Sequence, residues 1–313
     1  MPKKIKKTYL ITGGTGFIGR SIAENLIKNG FKVVIFDNNF RGALKKLKSK
    51  NKIKFIKGDI RNRSLFFKAL KNINAVIHLA YINGTKNFYS NPNLVLDVAI
   101  KGLLNVLDGC VKYKIKELYL ASSSEVYQTP LKTPTSENEM LKVPDVYNPR
   151  YSYGAGKILT EVMGINYGRK YFEKLIIFRP HNVYGPDMGN DHVIPQFIKR
   201  MRNLKSKYFK IQGSGREIRS FIYINDFVSA FDLLIKKGKH LNIYNIGTGD
   251  KTKIKDLAFM VANVFKKKIK IKNFPLKKGS TKIRIPNISK IKALGFKKKY
   301  TLKSGIEKTT NKN

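Results

Sequence analysis

The sequence predicts an α/β protein built on a doubly wound parallel sheet, with a smaller α/β lobe in its second half. Three observations predict it. Short β-branched runs alternate with longer helix-patterned segments through residues 1–180. The first run, "TYLIT", passes directly into a glycine-rich loop that opens a helix. The second, "KVVIFD", ends on an acid about 20 residues beyond that loop.

The elements follow in order. "TYLITGG" leads into the helix "FIGRSIAENLIKNG", the strands "KVVIFDN" and "IKFIKGDI", the helix "SLFFKALKN" and the strand "AVIHLA". A long helix around "NLVLDVAIKGLLNVLDGCVKY" precedes "KELYLASS", another runs from Tyr153 to about Tyr171, and "KLIIFRP" closes the series. Strands joined by crossover helices pair in parallel and are covered on both faces. Residues 1–180 are therefore assigned to the sheet domain, to which the helix "INDFVSAFDLLIKK" returns residues 216–240. Pro and Gly at "YGPDMGN" and "QGSGRE" interrupt residues 181–215. These, with 241–313, are assigned to the lobe.

Composition narrows the classes. The 313 residues are 42% hydrophobic, enough for a substantial core. No apolar run approaches the roughly 20 residues of a membrane helix. The start, "MPKKIKKTYLITGG", is basic like a signal peptide, but its apolar part stops at the glycine loop; a strand and a cytoplasmic location are expected. The single cysteine, Cys110, excludes an intramolecular disulfide and a multi-cysteine metal site, so a buried thiol and no metal are expected. The formal charge is +43, from 63 basic and 20 acidic residues. Clusters such as "KKLKSKNKIK" and "FKKKIKIK" alternate with apolar residues as solvated faces do, so a nucleic-acid partner is not expected. The charge would still attract anionic substrates at low salt.

In "TGGTGFIG", Gly13 permits the turn, Gly16 lets backbone approach a pyrophosphate, and Gly19 allows helix and strand to pack closely. Gly16, Phe17, Ile18 and Gly19 open the helix, whose free amides suit phosphate. Asp37 is placed to accept both hydroxyls of an adenosine ribose and would repel a 2′-phosphate. A Rossmann domain binding NAD is expected, with Arg41 leaving NADP open. Tyr153 and Lys157, four apart in "YSYGAGK", share a helix face. That spacing alone means little in a chain with 16 Tyr.

The ordered motifs "TGGTGFIG", "GDI", "HLA", "SSSEVY", "YSYGAGK", "RPHNVYGP", "GSGREIRSFIYINDF" and "RIPNISKIKALGF" cover nearly the whole chain. Together they resemble the extended short-chain dehydrogenase/reductase family, in particular its nucleotide-sugar epimerases, dehydratases and decarboxylases. The resemblance implies that Asp59 and Ile60 meet the adenine and that Ala80 and Tyr81 flank the cofactor, with His78 packed in the core. It implies Ser123, Tyr153 and Lys157 as catalytic residues, with Glu125 bearing on the reaction type. Asn182, His192, Arg219 and Arg284 would meet a nucleoside-diphosphate sugar, the arginines through its phosphates. A homodimer paired through the helices of Cys110 and Tyr153 is also implied. Ala99, Asn287 and Gln128 depart from residues common in the family (Asn, Asp and Gly).

With NAD in place, the Tyr–Lys pair acquires a purpose. A free tyrosine is a poor base near neutral pH. A nearby ammonium and a positive nicotinamide are expected to lower its pKa, so that Tyr153 takes a sugar hydroxyl proton while Ser123 relays it. The resemblance implies oxidation at C4, and 4-epimerisation of a UDP-glucose/UDP-galactose type sugar is the expected outcome. A 4,6-dehydratase and a UDP-glucuronate decarboxylase are the alternatives. "SSSEVY" is similar to the arrangement in guanosine-linked mannose dehydratases and in glucuronate decarboxylases, "NPRYSY" speaks for the latter, and Ser124, where dehydratases acting on deoxythymidine-linked glucose carry Asp, speaks against that dehydratase. A non-catalytic NAD- or RNA-binding module is the alternative from another class.

Overall fold

The computed structural model describes residues 7–189, 191–276 and 279–311. Most of the basic start of the chain, residues 1–6, lies outside them.

Six strands form in the predicted places: β1 (Thr8–Thr12), β2 (Lys32–Asp37), β3 (Ile53–Lys57), β4 (Ala75–His78), β5 (Glu117–Ala121) and β6 (Lys174–Pro180). With a further strand, Asn242–Ile246, they make a seven-stranded parallel sheet. Its spatial order is Asn242–Ile246, β6, β5, β4, β1, β2, β3. The order reverses between β1 and β4, which leaves a crevice at the carboxyl ends of these strands. Residues 242–246, assigned from the sequence to the lobe, thus belong to the large sheet. Two asparagines in "NIYNI" mask the strand pattern.

The helices are α1 (Phe17–Lys28), α2 (Arg63–Ala69), α3 (Thr85–Ser90), α4 (Pro92–Lys112), α5 (Ser152–Tyr171), α6 (Val193–Arg202), α7 (Ile224–Lys237), α8 (Ile254–Val264), α9 (Ser289–Ala293) and α10 (Leu302–Thr310). Alternation along the strands sends side chains to two cores. Leu10, Val34, Val76, Leu118 and Ile177 face the α2 and α4 side. Tyr9, Ile11, Ile35, Tyr119 and Phe178 face α1, α6 and α7. Burial on both faces is why these strands read as continuous apolar runs.

Helix α5 is poor in apolar residues and packs through small ones. A Cβ at Gly164 would lie 2.5 Å from Leu120 Cδ1, so a larger residue would push α5 off β5. Helix α6 forms where the sequence suggested irregular chain. Its Pro195 sits in the first turn, where an amide has no intrahelical partner to lose. Beyond the sheet, Tyr208–Gln212 pairs in parallel with Lys270–Phe274.

Asp226 ties the carboxyl-terminal region to α7. Its buried carboxylate accepts the Lys299 and Tyr300 amides, each at 3.0 Å. Asp226→Ala leaves both amides unpaired and should lower stability by about 2 kcal/mol. A lower urea midpoint at unchanged slope is the expected result.

Candidate active site

A cavity of about 350 Å³ opens at the crevice, between the glycine loop and α5. Gly13, with φ +70°, forms its floor, and a Cβ there would lie 2.7 Å from the Ala80 nitrogen. No side chain fits that approach. Gly16 precedes the first turn of α1, and Phe17, Ile18 and Gly19 line the same wall. Asp37 lies at the far end, where its carboxylate accepts the amides of Thr15 (3.0 Å) and Asn39 (2.7 Å). Asp59, Ile60, Ala80 and Tyr81 complete this side. Arg61 donates to Asp59 through Nε (2.9 Å) and through a terminal nitrogen (2.8 Å), and these bonds hold the Asp59 carboxyl below its usual range. Arg41 reaches across the mouth to the Asn83 carbonyl (2.6 Å) and to Asp191 (3.3 Å).

At the other end, Ser123, Tyr153 and Lys157 come together, as the sequence spacing predicts for the last two. Ser123, two residues beyond β5, faces the Tyr153 phenol and lowers its pKa, while its hydroxyl accepts the Glu125 amide at 3.1 Å. The Tyr153 ring stacks on Phe88 at 4.8 Å and meets the edge of Tyr81 at 5.1 Å. Lys157 is 3% exposed; its ammonium donates to the Ala121 carbonyl at 2.7 Å and lies 3.7 Å from the centre of the Tyr81 ring. Burial pulls its pKa down to about 7, against the pull of Glu161.

Lys157 by itself does not lower the Tyr153 pKa, which the sequence reading assigned to the lysine and a positive nicotinamide together. Burial pushes the phenol up to about 12, opposed by Ser123, while Lys157 points at a carbonyl 36 residues away in sequence. His78 bonds Thr12 at 2.8 Å, and burial drives it down to about 3. It is a neutral core residue, in line with the sequence reading.

Glu125 is paired with Arg284 by two bonds, at 2.5 and 3.1 Å. Burial pushes the carboxyl up, but Arg284, then Arg150 and Arg219, outweigh it and hold Glu125 at about 2. Arg284 lines the cavity; Arg219 does not, and donates instead to the carbonyls of Ile218, Lys282 and Thr281. Asn182 lines the cavity with its amide committed to the Ser220 carbonyl at 2.7 Å. His192 lines it too, and burial lowers its pKa to about 4. Gln128 takes φ +50°, a backbone region that favours glycine.

The sequence reading passed over Glu161 and Arg179, and met Arg150 only as part of "NPRYSY". Glu161 carried a signal, since it lies one turn beyond Lys157 on the same face of α5. Arg179, buried in β6 and bonded to Glu161 and Tyr127, had only its place in an apolar run to mark it.

A model of the NAD dependent epimerase/dehydratase family matches residues 9–247. The chain belongs to that family. It is 33% identical over 272 residues to dTDP-D-glucose 4,6-dehydratase of Dictyostelium discoideum, across 82% of this chain and 61% of that relative. It is 30% identical over 318 residues to UDP-N-acetyl-α-D-glucosaminuronate decarboxylase of Bacillus cytotoxicus, across 97% of both. Among solved structures, UDP-glucose 4-epimerase of Thermotoga maritima with UDP-glucose superposes with a TM-score of 0.89 at 28% identity, over 97% of this chain and 98% of that one. The Thermus thermophilus UDP-glucose 4-epimerase complex with NAD gives 0.85 at 26%, over 97% and 98%. The protein is thus an enzyme of a family that joins nucleotide-sugar epimerases, dehydratases and decarboxylases, and its cofactor is NAD. The cavity fits that cofactor: bare backbone at Gly13 for close approach, helix amides beside it, and Asp37 a strand away. Among the described residues, no helix is long and apolar enough to cross a membrane, and no group of three metal-ligating side chains occurs.

Gly13→Ala should cut NAD affinity at least about tenfold through the forced shift of the Ala80 backbone. Calorimetric titration with NAD measures this, with circular dichroism as the check on folding.

Proposed function

We propose that this family member is a nucleotide-sugar 4-epimerase working through a transient 4-keto sugar, with UDP-glucose or UDP-galactose type substrates. The observation that carries this choice is the state of Glu125. Loss of water from C6 needs a second acid beside the tyrosine, and a carboxyl held at about 2 by Arg284 has no proton to give near neutral pH. Epimerisation needs one proton carrier, at the C4 oxygen.

In this reading the amides of Phe17, Ile18 and Gly19 receive the pyrophosphate of NAD, and Gly13 and Gly16, whose own amides bond backbone carbonyls, let it approach the chain closely. Asp37 takes the adenosine ribose, Asp59 and Ile60 border the adenine, and Ala80, Tyr81 and Lys157 border the nicotinamide half. When bound, NAD supplies a reversible hydride acceptor and a positive ring. Tyr153 takes the C4 hydroxyl proton through Ser123 as C4 is oxidised, and the positive surroundings stabilise its phenolate. Once the ketone has turned over in the pocket, Tyr153 returns the proton to the new alcohol. Asn182 and His192 contact the substrate, while Arg284, aimed by Glu125, meets its diphosphate; Arg219, outside the cavity and bonded to backbone carbonyls, does not. Two copies pair through α4 and α5, whose outer faces leave Ile100 39% and Val162 53% exposed.

A second reading, decarboxylation of a nucleotide-linked uronic acid, is favoured by Arg150. Its charge reaches Glu125, and its Nε is buried with no hydrogen-bond partner. A sugar carboxylate would satisfy that nitrogen, and a 4-keto uronate can lose carbon dioxide as a β-keto acid.

Purified protein incubated with a panel of nucleotide sugars separates these readings by product mass. An isomer of unchanged mass supports epimerisation; loss of carbon dioxide or water would replace it with the corresponding lyase reaction. Tyr153→Phe should lower kcat by about 10³ or more while still binding NAD, and wild-type turnover by this variant would sink the mechanism. Ser123 holds the Tyr153 pKa down, so Ser123→Ala should raise it and move the rising limb of the kcat–pH profile to higher pH.

A further inference from the structure

Tyr153, Lys157 and Glu161 recur every fourth residue along one face of α5. Each meets one of three successive residues, from the last of β5 onward. Tyr153 faces Ser123, Lys157 bonds the Ala121 carbonyl, and the buried Ser122 hydroxyl donates to Glu161. The Glu161 carboxylate is gripped in turn by Arg179 of β6, through Nε at 2.7 Å and a terminal nitrogen at 2.5 Å. Arg179 is 1% exposed and its remaining nitrogen bonds Tyr127 (2.6 Å) and the Glu137 carbonyl (2.9 Å).

We propose that Glu161 is a positioning residue: clamped by Arg179, it fastens α5 to the end of β5 and supplies the counter-charge of Lys157. The proposal rests on the reading of Tyr153, Ser123 and Lys157 as the reacting set. Two of the three contacts belong to those residues, so the third fixes the register in which they meet. An error of about 1 Å at that register is enough to cost roughly 100-fold in rate.

The charge argument follows from what surrounds Lys157. The groups facing it are the phenols of Tyr81 and Tyr153, the neutral His78 and Glu161. Glu161 alone among them brings a carboxylate, and it favours the ammonium over the free amine.

The test is acetic anhydride labelling of Lys157 in the full chain across pH, read by peptide mass, because only the free amine reacts. Glu161→Gln should move the half-labelling pH down by about one unit. That variant strands a buried guanidinium, so Glu161→Gln with Arg179→Met is made alongside it to keep the fold. An unchanged half-labelling pH in the folded variant would overturn the counter-charge. Ser122→Ala removes the fastening bond without stranding a charge and should lower kcat about tenfold at unchanged KM; wild-type kcat would overturn the fastening. If the wild-type protein turns over no sugar, the proposed function fails, while the labelling still decides the role of Glu161.

Discussion

A lysine ammonium held almost out of water is the constraint on which the rest of the site depends. Burial alone favours the free amine. Lys157 keeps a proton only through a carbonyl at the end of β5, the face of Tyr81 and the carboxylate of Glu161. The first two of these demand that α5 lie close against β5 and the segment after β4. That closeness explains why α5 presents glycine to the sheet, and why a helix so poor in apolar residues is nonetheless central.

The same closeness sets the chemistry of Tyr153. Sandwiched between Phe88 and Tyr81, its phenol loses more from desolvation than Ser123 returns. A phenol in this state keeps its proton near neutral pH, and positive charge beside it would ease the loss. In the proposed reaction that charge is the oxidised cofactor's, so loss of the hydroxyl proton would be tied to departure of the hydride from the carbon that bears that hydroxyl.

The fold was legible where burial imposes a period. β1 to β6 read as apolar runs because helices cover both faces of the sheet, and the glycine loop read because Gly13 admits no side chain. "NIYNI" was not legible, since its asparagines serve tertiary contacts: Asn245 bonds Tyr127, His181 and two backbone carbonyls. Nor was α6, whose Pro195 looks like a breaker until its place in the first turn is known. In the candidate site, spacing found Tyr153 and Lys157. It could not reveal that Glu125 and Arg284, 159 residues apart, satisfy each other, because sequence distance carries no information about such a pair.

Charge is distributed in a way composition conceals. The chain is dominated by lysine, yet most of the carboxylates in and around the cavity are held by arginines or backbone amides, Asp97 by Lys101 as well. Arg61 takes Asp59 and Asp97, Arg41 takes Asp191, Arg284 takes Glu125 and Arg179 takes Glu161, while Asp37 is held by two amides. Arginine's planar fork fixes two oxygens at once and resists losing its proton when buried; lysine does neither. In a protein whose surface cations are abundant and interchangeable, an arginine marks a position where geometry matters. Lys157 is the informative exception: among the described residues it is the buried lysine lining the cavity, and burial shifts a lysine's pKa readily where an arginine keeps its proton.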